Sequence, residues 1–412
     1  MSASRHAVLG PVPAAQRLEI LDALRGVALL GVFAMNIEAF SRPAQEMGAG
    51  IPPEATGLDW AVAWGVHVFI AGKFWTMFSL LFGMGFALMS ERIAASGRPV
   101  APVFLRRQAV LLAFGLLHIV LMWWGDILHS YAIAGLLLLA MREIAPRWQL
   151  AVGLTLYAGV GAFYLVNAAL LALVPDAMLA DFAGALASGR EAAERIYPSG
   201  SFGEITQRRV SDYLQLGLQS QLFQVPMIAG VFLIGSWLLR GGWLRASAEH
   251  RGFWWRLLAW ALPPAVLFTA LGVWLGTSFD SPLAPRAALS VGLMLLGSLP
   301  MSLAYVALLV LAWTSASGQR VLRAFAPAGR MALTHYLAQS LVCSLLFYGY
   351  GAGLWGELGR AAQTGLVLVV FAAQLAISPV WLARHRHGPV EWLWRWATYG
   401  HRPTWRRAYQ VA

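Results

Sequence analysis

Three side chains able to move a proton, His118, Asp126 and His129, fall within one of the most apolar runs of the chain, Val110 to Leu139. An ionisable group facing lipid at mid-membrane costs roughly 2.5–3.5 kcal/mol on insertion scales, so such groups normally face a protein interior, a partner or a water-filled cavity. A neutral imidazole at that depth can take a proton from a hydroxyl or amine nucleophile, and a carboxylate can orient it. His118 and Asp126 are eight residues apart, about 12 Å along a continuous helix. Direct contact between them requires the chain to fold back at Gly125. The plainer alternative is a histidine hydrogen-bonded to a neighbouring helix, with Asp126 capping the helix that follows.

Other polar groups punctuate the apolar spans. The first span opens as Leu21-Asp22-Ala23-Leu24-Arg25-Gly26 and ends near Asn36-Ile37-Glu38. Asp22 and Arg25, three apart, either snorkel as an interfacial pair or jointly bind a polar headgroup. Asn36 lies eleven residues beyond Arg25, about 16 Å up a helix, so the two mark opposite ends of one passage unless Asn36 is simply packing glue. Lys73 stands at the outer end of the second span, where it can counter Asp59 or Glu38 or anchor at the interface. His335 and Gln339, at i and i+4, share a face and either line a cavity or hold helices together. Gln221 and Gln224 pose the same choice. Gly83 and Gly85 allow close helix packing and are not a nucleotide fingerprint, because no strand-turn-helix context surrounds them. No metal-ligand spacing is visible. The single cysteine, Cys343, excludes an internal disulfide and a cysteine-based metal cluster, and it reads as inert core.

The elements that position these groups are membrane helices. Of 412 residues, 59% are hydrophobic and 12% charged, about half the usual charged share of a soluble domain; the mean hydropathy is +0.62. A net charge of +11 in a soluble protein would suggest nucleic acid, but here loop asymmetry accounts for it and no nucleic-acid partner is expected. A 17–25-residue apolar window predicts an all-α bundle of about ten spans: Leu21–Phe40, Phe74–Ser90, Val103–Trp124, Leu128–Met141, Leu150–Val174, Leu214–Leu239, Trp254–Leu275, Ala288–Trp313, Met331–Tyr350 and Gly365–Leu382. Alternate loops hold 21 and 8 basic residues, with Arg25 inside the first span, which places both termini in the cytoplasm.

Residues 1–17 read as a disordered tail with no cleavable signal peptide, 18–395 as one transmembrane domain, and 396–412 as a basic cytoplasmic tail. Two outer inserts interrupt the domain. The first, residues 41–73, includes a semi-apolar piece, Leu58–Ala71, suited to an interfacial or re-entrant helix. The second, residues 175–212, reads as a surface helix with i,i+3 and i,i+4 charge pairs.

Several motifs recur in one order: Leu21-Asp22-Ala23-Leu24-Arg25-Gly26; Gly72-Lys73-Phe74 with Phe78-Ser79-Leu80-Leu81-Phe82-Gly83; His118 with Gly125-Asp126-Ile127-Leu128; Gly329-Arg330-Met331-Ala332-Leu333-Thr334; and Gly388-Pro389-Val390-Glu391-Trp392-Leu393-Trp394-Arg395. Together, over nearly the whole chain, they resemble the YeiB-like family of uncharacterised bacterial inner-membrane proteins. That family is similar to the transmembrane acyltransferases, which include the O-acyltransferase-3 proteins and heparan-α-glucosaminide N-acetyltransferase. The resemblance implies a multi-pass inner-membrane protein in the lipid bilayer that moves an acyl group from cytoplasmic acyl-CoA (or acetyl-CoA) to an extracytoplasmic hydroxyl or amine of a sugar or lipid.

Arg25 matches the first-helix arginine of those enzymes. Asn36 stands where the O-acyltransferase-3 proteins carry a histidine, and no histidine between Arg42 and Asp59 answers to that of the glucosaminide enzyme. His118 is then the expected general base, Asp126 its orienting group, and Asn36 a ligand of the acyl carbonyl or acceptor. Arg25, Asp22, Arg106 and Arg107 are expected at the CoA phosphates, since arginine's fixed fork suits phosphate. Glu38, Asp59, Lys73, His335 and Gln339 are expected along the substrate. A small-solute transporter and a non-catalytic scaffold are the alternatives, although no inverted repeat is evident. Oligomeric state, a homo-oligomer included, stays open.

Overall fold

In lipid every backbone N–H and C=O must be satisfied within its own segment, and long apolar runs answer this as helices. The computed structural model describes residues 17–407; the expected tail before Arg17 lies outside them. Among the described residues the protein is all-helical, with only two isolated antiparallel bridges, Gly50 to Ser278 and His385 to Arg406.

In chain order the helices are α1 Glu19–Asn36, α2 Gly57–Phe69, α3 Lys73–Ala95, α4 Val100–Leu121, α5 Leu128–Ala140, α6 Pro146–Leu171, α7 Asp176–Ile196, α8 Phe202–Asp212, α9 Leu218–Arg240, α10 Arg251–Leu275, α11 Pro285–Trp313, α12 Ala316–Arg323, α13 Ala326–Arg330, α14 Ala332–Phe347, α15 Arg360–Arg384 and α16 Pro389–Tyr399. Among the described residues, eight helical stretches are long and apolar enough to cross a membrane. The apolar helices α5 and α14 are shorter, 13 and 16 residues, or roughly 20 and 24 Å against a hydrocarbon core of about 30 Å.

The bundle has a basic end, where α3 stops and α4 and α14 start, and a far end carrying α2, α7 and α8. Its main core joins α1, α3, α6, α9, α10 and α11 through Leu21, Leu24, Met77, Leu80, Tyr157, Val231, Ile234, Trp254, Leu299 and Val306. Helices α3 and α9 touch backbone to backbone: a Cβ on Gly83 would run into the Phe232 carbonyl, and one on Gly235 into that of Leu80. The periphery is apolar in the opposite sense. Trp260 and Trp274 of α10 are 81% and 79% exposed, as suits side chains turned to lipid.

Three local outcomes differ from the sequence reading. The 175–212 insert is two helices broken at Pro198–Gly200, because Ser201 starts α8 with a capping box: its side chain accepts from the Glu204 N–H while Glu204 reaches back to the Ser201 N–H. From there the chain stays helical to Arg240, passing through a π-turn at Tyr213–Gly217, so the helix begins twelve residues before the expected Leu214. At the C-terminus, α16 runs through the boundary expected at residue 395. It folds back on the bundle instead of leaving it: the Trp394 Nε1–H donates to the Arg107 carbonyl and Glu391 accepts the N–H groups of Leu333 and Thr334.

Candidate functional site: an arginine-mouthed cavity and a His–Asp–His cluster

A cavity of about 1660 Å³ enters the bundle from its basic end. Along α3 its wall extends from Arg92 to Trp75, seventeen residues, or about 25 Å of helix. The mouth and upper wall carry ten arginines (Arg17, Arg25, Arg92, Arg107, Arg330, Arg384, Arg386, Arg395, Arg406 and Arg407) against two carboxylates, Asp22 and Glu391. Asp22 is already engaged: it accepts from the Arg17 Nε–H at 2.5 Å and the Arg25 Nη1–H at 3.0 Å. Among the described residues, Arg107, Arg330, Arg384, Arg386, Arg395, Arg406 and Arg407 form no ion pair. The deeper wall is apolar and aromatic: Trp75, Phe78, Phe82, Leu111, Ile127, Leu128, Tyr131 and Tyr336.

The charge at the mouth acts on its neighbours. Burial, then Arg395, Arg17, Arg330 and Arg386, depress the His387 imidazole to about 3. Burial, reinforced by Arg17 and Arg407 against Asp22, lowers Arg330 to about 10. Burial raises the Glu391 carboxyl despite the hydrogen bonds it accepts. A concave surface with this much uncompensated positive charge suits an anionic ligand, above all one bearing phosphate.

Behind the deep wall lies the cluster that the sequence placed in the apolar run. The chain does fold back at Gly125. The His118 Nδ1–H donates to Asp126 Oδ1 at 2.8 Å, while Asp126 Oδ2 accepts from both the backbone N–H and the Nδ1–H of His129, each at 2.9 Å. Asp126 therefore holds both histidine rings and accepts a first-turn N–H of α5, although the N-cap position itself is Ile127 and not the expected Asp126. All three side chains are buried. With Nδ1 committed, the His118 Nε2 has no hydrogen-bond partner among the described residues. Tyr336, which lines the cavity, stands with its ring 5.2 Å from that of His118.

The remaining candidates divide by place. Asp22, Arg25 and Arg107 line the cavity; Arg106 is exposed and does not. Asn36 ends α1 at the far end, away from the lining. Glu38 pairs with Arg42 at 3.0 Å and Arg360 at 3.4 Å. Asp59 accepts the Ala361 N–H at the start of α15 at 2.7 Å. Lys73 is fully buried but meets neither carboxylate, its amine donating to the His67 carbonyl at 3.3 Å. His335 and Gln339 bind Ser378 and Gln374 across the α14–α15 interface, which is the packing alternative. Arg330, Arg384, Arg386, Arg395, Arg406 and Arg407 also reach the cavity, although they are not among the ligand groups expected from the sequence. Their signal was present in Arg384-His385-Arg386-His387 and Arg406-Arg407, flanking a tryptophan-rich amphipathic helix.

Residues 238–401 match the family described as "Protein of unknown function (DUF418)", a segment that takes in α10 to α16 and much of the cavity mouth. The chain is 30% identical over 409 residues to "Uncharacterized protein YxaH" of Bacillus subtilis (strain 168), covering 95% of this chain and 96% of that one. It is 31% identical over 398 residues to "Uncharacterized protein YeiB" of Escherichia coli (strain K12), covering 93% and 96%. No solved structure matches. Matches of this extent, end to end, place the arginine-mouthed bundle in its family: the chain belongs to the YeiB-like membrane proteins.

Proposed function

We propose that the protein is a membrane-embedded acyltransferase whose donor, an acyl-CoA, enters the cavity from the cytoplasmic side. The observation that carries this reading is the cavity itself, with arginines at its mouth for phosphates and an aromatic throat whose Tyr336 packs on His118, which itself lies behind the wall. Arg107 and His118 belong to the same helix, eleven residues apart. At 1.5 Å and 100° per residue this is about 16 Å along the axis and only about 20° around it. A ligand gripped by Arg107 thus extends down the face of α4 that carries His118, and a pantetheine arm is of comparable length.

His118 is the general base. Its Nδ1–H bond to Asp126 leaves Nε2 as the acceptor, with no protein partner among the described residues. The acceptor oxygen or nitrogen attacks the thioester carbonyl carbon and its proton passes to Nε2. The carbon–sulfur bond breaks, and the proton is returned to the departing CoA thiolate. Tyr336 lines the cavity and packs on the imidazole, so its rotation is the movement this step requires. Burial of the cluster strengthens the Asp126 interaction with an imidazolium formed in the step.

Titration of the purified protein with acetyl-CoA, following binding and release of free CoA, tests the reading. Saturable binding, slow CoA release and loss of that release in His118→Ala and Asp126→Asn are expected. Release that survives both substitutions would remove these roles, and absence of binding by any acyl-CoA would turn the reading to solute transport.

A further inference from the structure

The polar chain that starts at His118 continues past Asp126 and leaves the bundle on the side away from the arginine cavity. His129 Nε2 lies 3.4 Å from the Ser130 hydroxyl, which donates to Gln221 Oε1 at 2.6 Å. The Gln221 amide donates in turn to Gln224 Oε1 at 3.1 Å and to the Gly217 carbonyl at 2.9 Å. The Gly217 carbonyl belongs to the π-turn that interrupts the long helix, a feature that recurs at functional sites. The Tyr213 ring from the same turn stands edge-on to His129, 5.2 Å between centroids. Ser130 is fully buried, Gln221 and Gln224 are half-buried, and Gln219 and Ser220 are exposed. Among the described residues the Gln224 amide nitrogen donates to no protein group.

Depth gives this cluster its meaning. The helix from Phe202 to Arg240 has 39 residues, about 58 Å, whereas the hydrocarbon core is about 30 Å thick, or some twenty residues. Counted from Arg240 at the basic end, twenty residues end near Ser220. Gln221 and Gln224 therefore stand where the far-end interface begins, within reach of water and headgroups.

We propose that Ser130, Gln221 and Gln224, beside His129, form an acceptor subsite for an uncharged, hydroxyl-rich group, a carbohydrate, which reaches the His–Asp–His cluster from the far end. This deepens the acyl-transfer reading and rests on it for the chemistry, though not for the binding. The groups offered include no carboxylate: a hydroxyl, two carboxamides and an imidazole, beside an aromatic ring that a sugar face can cover. Among the described residues a cationic amine finds no open carboxylate beside the cluster. Both Asp126 oxygens are occupied by histidine, and Asp212, the residue before Tyr213, is held by Arg208, Gln45 and Tyr197. The subsite thus favours a hydroxyl-bearing acceptor over one carrying an ammonium. His129 is a positioning residue that shares the Asp126 carboxylate with His118.

Saturation-transfer NMR on the protein in lipid nanodiscs tests this, with methyl β-glucoside and the glycoside of glucosamine, an ammonium near neutral pH, as probes. The neutral glucoside should receive saturation and the cationic one much less. Gln224→Leu and Gln221→Leu should each weaken the signal about fivefold or more, as expected for lost hydrogen bonds, while acetyl-CoA binding in the arginine cavity stays intact as the control for folding. No saturation of the glucoside by the unmodified protein, or equal saturation by the variants, overturns the subsite. Acetyl-CoA consumption in the presence of the glucoside is read separately. Binding without consumption keeps the subsite and sinks the acyl-transfer reading; consumption without glucoside binding does the reverse.

Discussion

Gly115 of α4 lies directly against Asp126: a Cβ placed there would fall 2.7 Å from Oδ2 and would collide with the backbone nitrogen of His129. The fold-back at Gly125 thus depends on a missing side chain two helical turns below it. Gly115→Ala should push α5 off α4, at a cost of about 1–3 kcal/mol for overpacking, and should misalign the His118–Asp126 bond. The expected result is a lower unfolding midpoint in detergent together with loss of CoA release. A variant with unchanged midpoint and unchanged release would show that α5 can shift without disturbing the pair.

Arg106 and Arg107 are neighbours in sequence with opposite prospects. Arg107 faces the cavity, its guanidinium 3.5 Å from the Trp394 ring centroid; Arg106 faces outward. Arg107→Ala should weaken acetyl-CoA binding about tenfold, equivalent to roughly 1.4 kcal/mol, and should flatten the salt dependence of binding. Arg106→Ala should change neither. Isothermal titration at two ionic strengths separates the two, and equal losses would mean a diffuse field in place of a specific contact.

What was legible in the sequence follows from the range of the forces involved. Apolar runs long enough to span gave the helices, because that requirement is local to each segment. The His118–Asp126 contact was readable as a condition on Gly125. The direction of each arginine was not, because Arg106 and Arg107 differ by only 100° around α4 and the choice depends on where α16 docks. Partner choice was equally hidden. Lys73 has two carboxylates near its end of the bundle, yet Arg42 and Arg360 hold Glu38 and the N-terminus of α15 holds Asp59, all fixed by residues distant in sequence. Reading the C-terminal arginines only as a charge bias left out their fold-back over the mouth.

Glu391 is what ties that fold-back down. One carboxylate oxygen accepts the Leu333 N–H at 2.7 Å and the Thr334 N–H at 3.0 Å, and the other accepts the Thr334 hydroxyl at 2.5 Å. It caps α14 from 57 residues away, satisfying donors that the helix cannot satisfy itself. Glu391→Ala should cost about 0.5–2 kcal/mol, the range of a lost N-cap, and should free α16 from the mouth. Faster hydrogen exchange at the first turn of α14, with earlier proteolytic cleavage after Arg384 or Arg386, is the expected signature. Unchanged exchange there would mean that the Trp394 and Arg107 contacts alone hold α16 in place.

His387 gives the mouth a pH dependence of definite sign. In the folded protein burial and four arginines keep its imidazole neutral down to about 3, against an ordinary value of 6.5. Above pH 6.5 neither state binds the proton. As pH falls below 6.5 the unfolded chain takes it up and the folded protein does not, so stability is lost progressively towards pH 3. The ideal slope of about 1.4 kcal/mol per unit is reduced by solvent at this half-buried site to roughly 1 kcal/mol. Removing the titration in His387→Gln should flatten that component of the slope between pH 6.5 and 5. Comparing the unfolding midpoints of both proteins across the window isolates it, since the carboxylates and other histidines titrate equally in each. Parallel pH profiles would show that the arginine field does not reach His387. In that case the positive charge at the mouth would be dissipated by solvent before it could act on a bound phosphate.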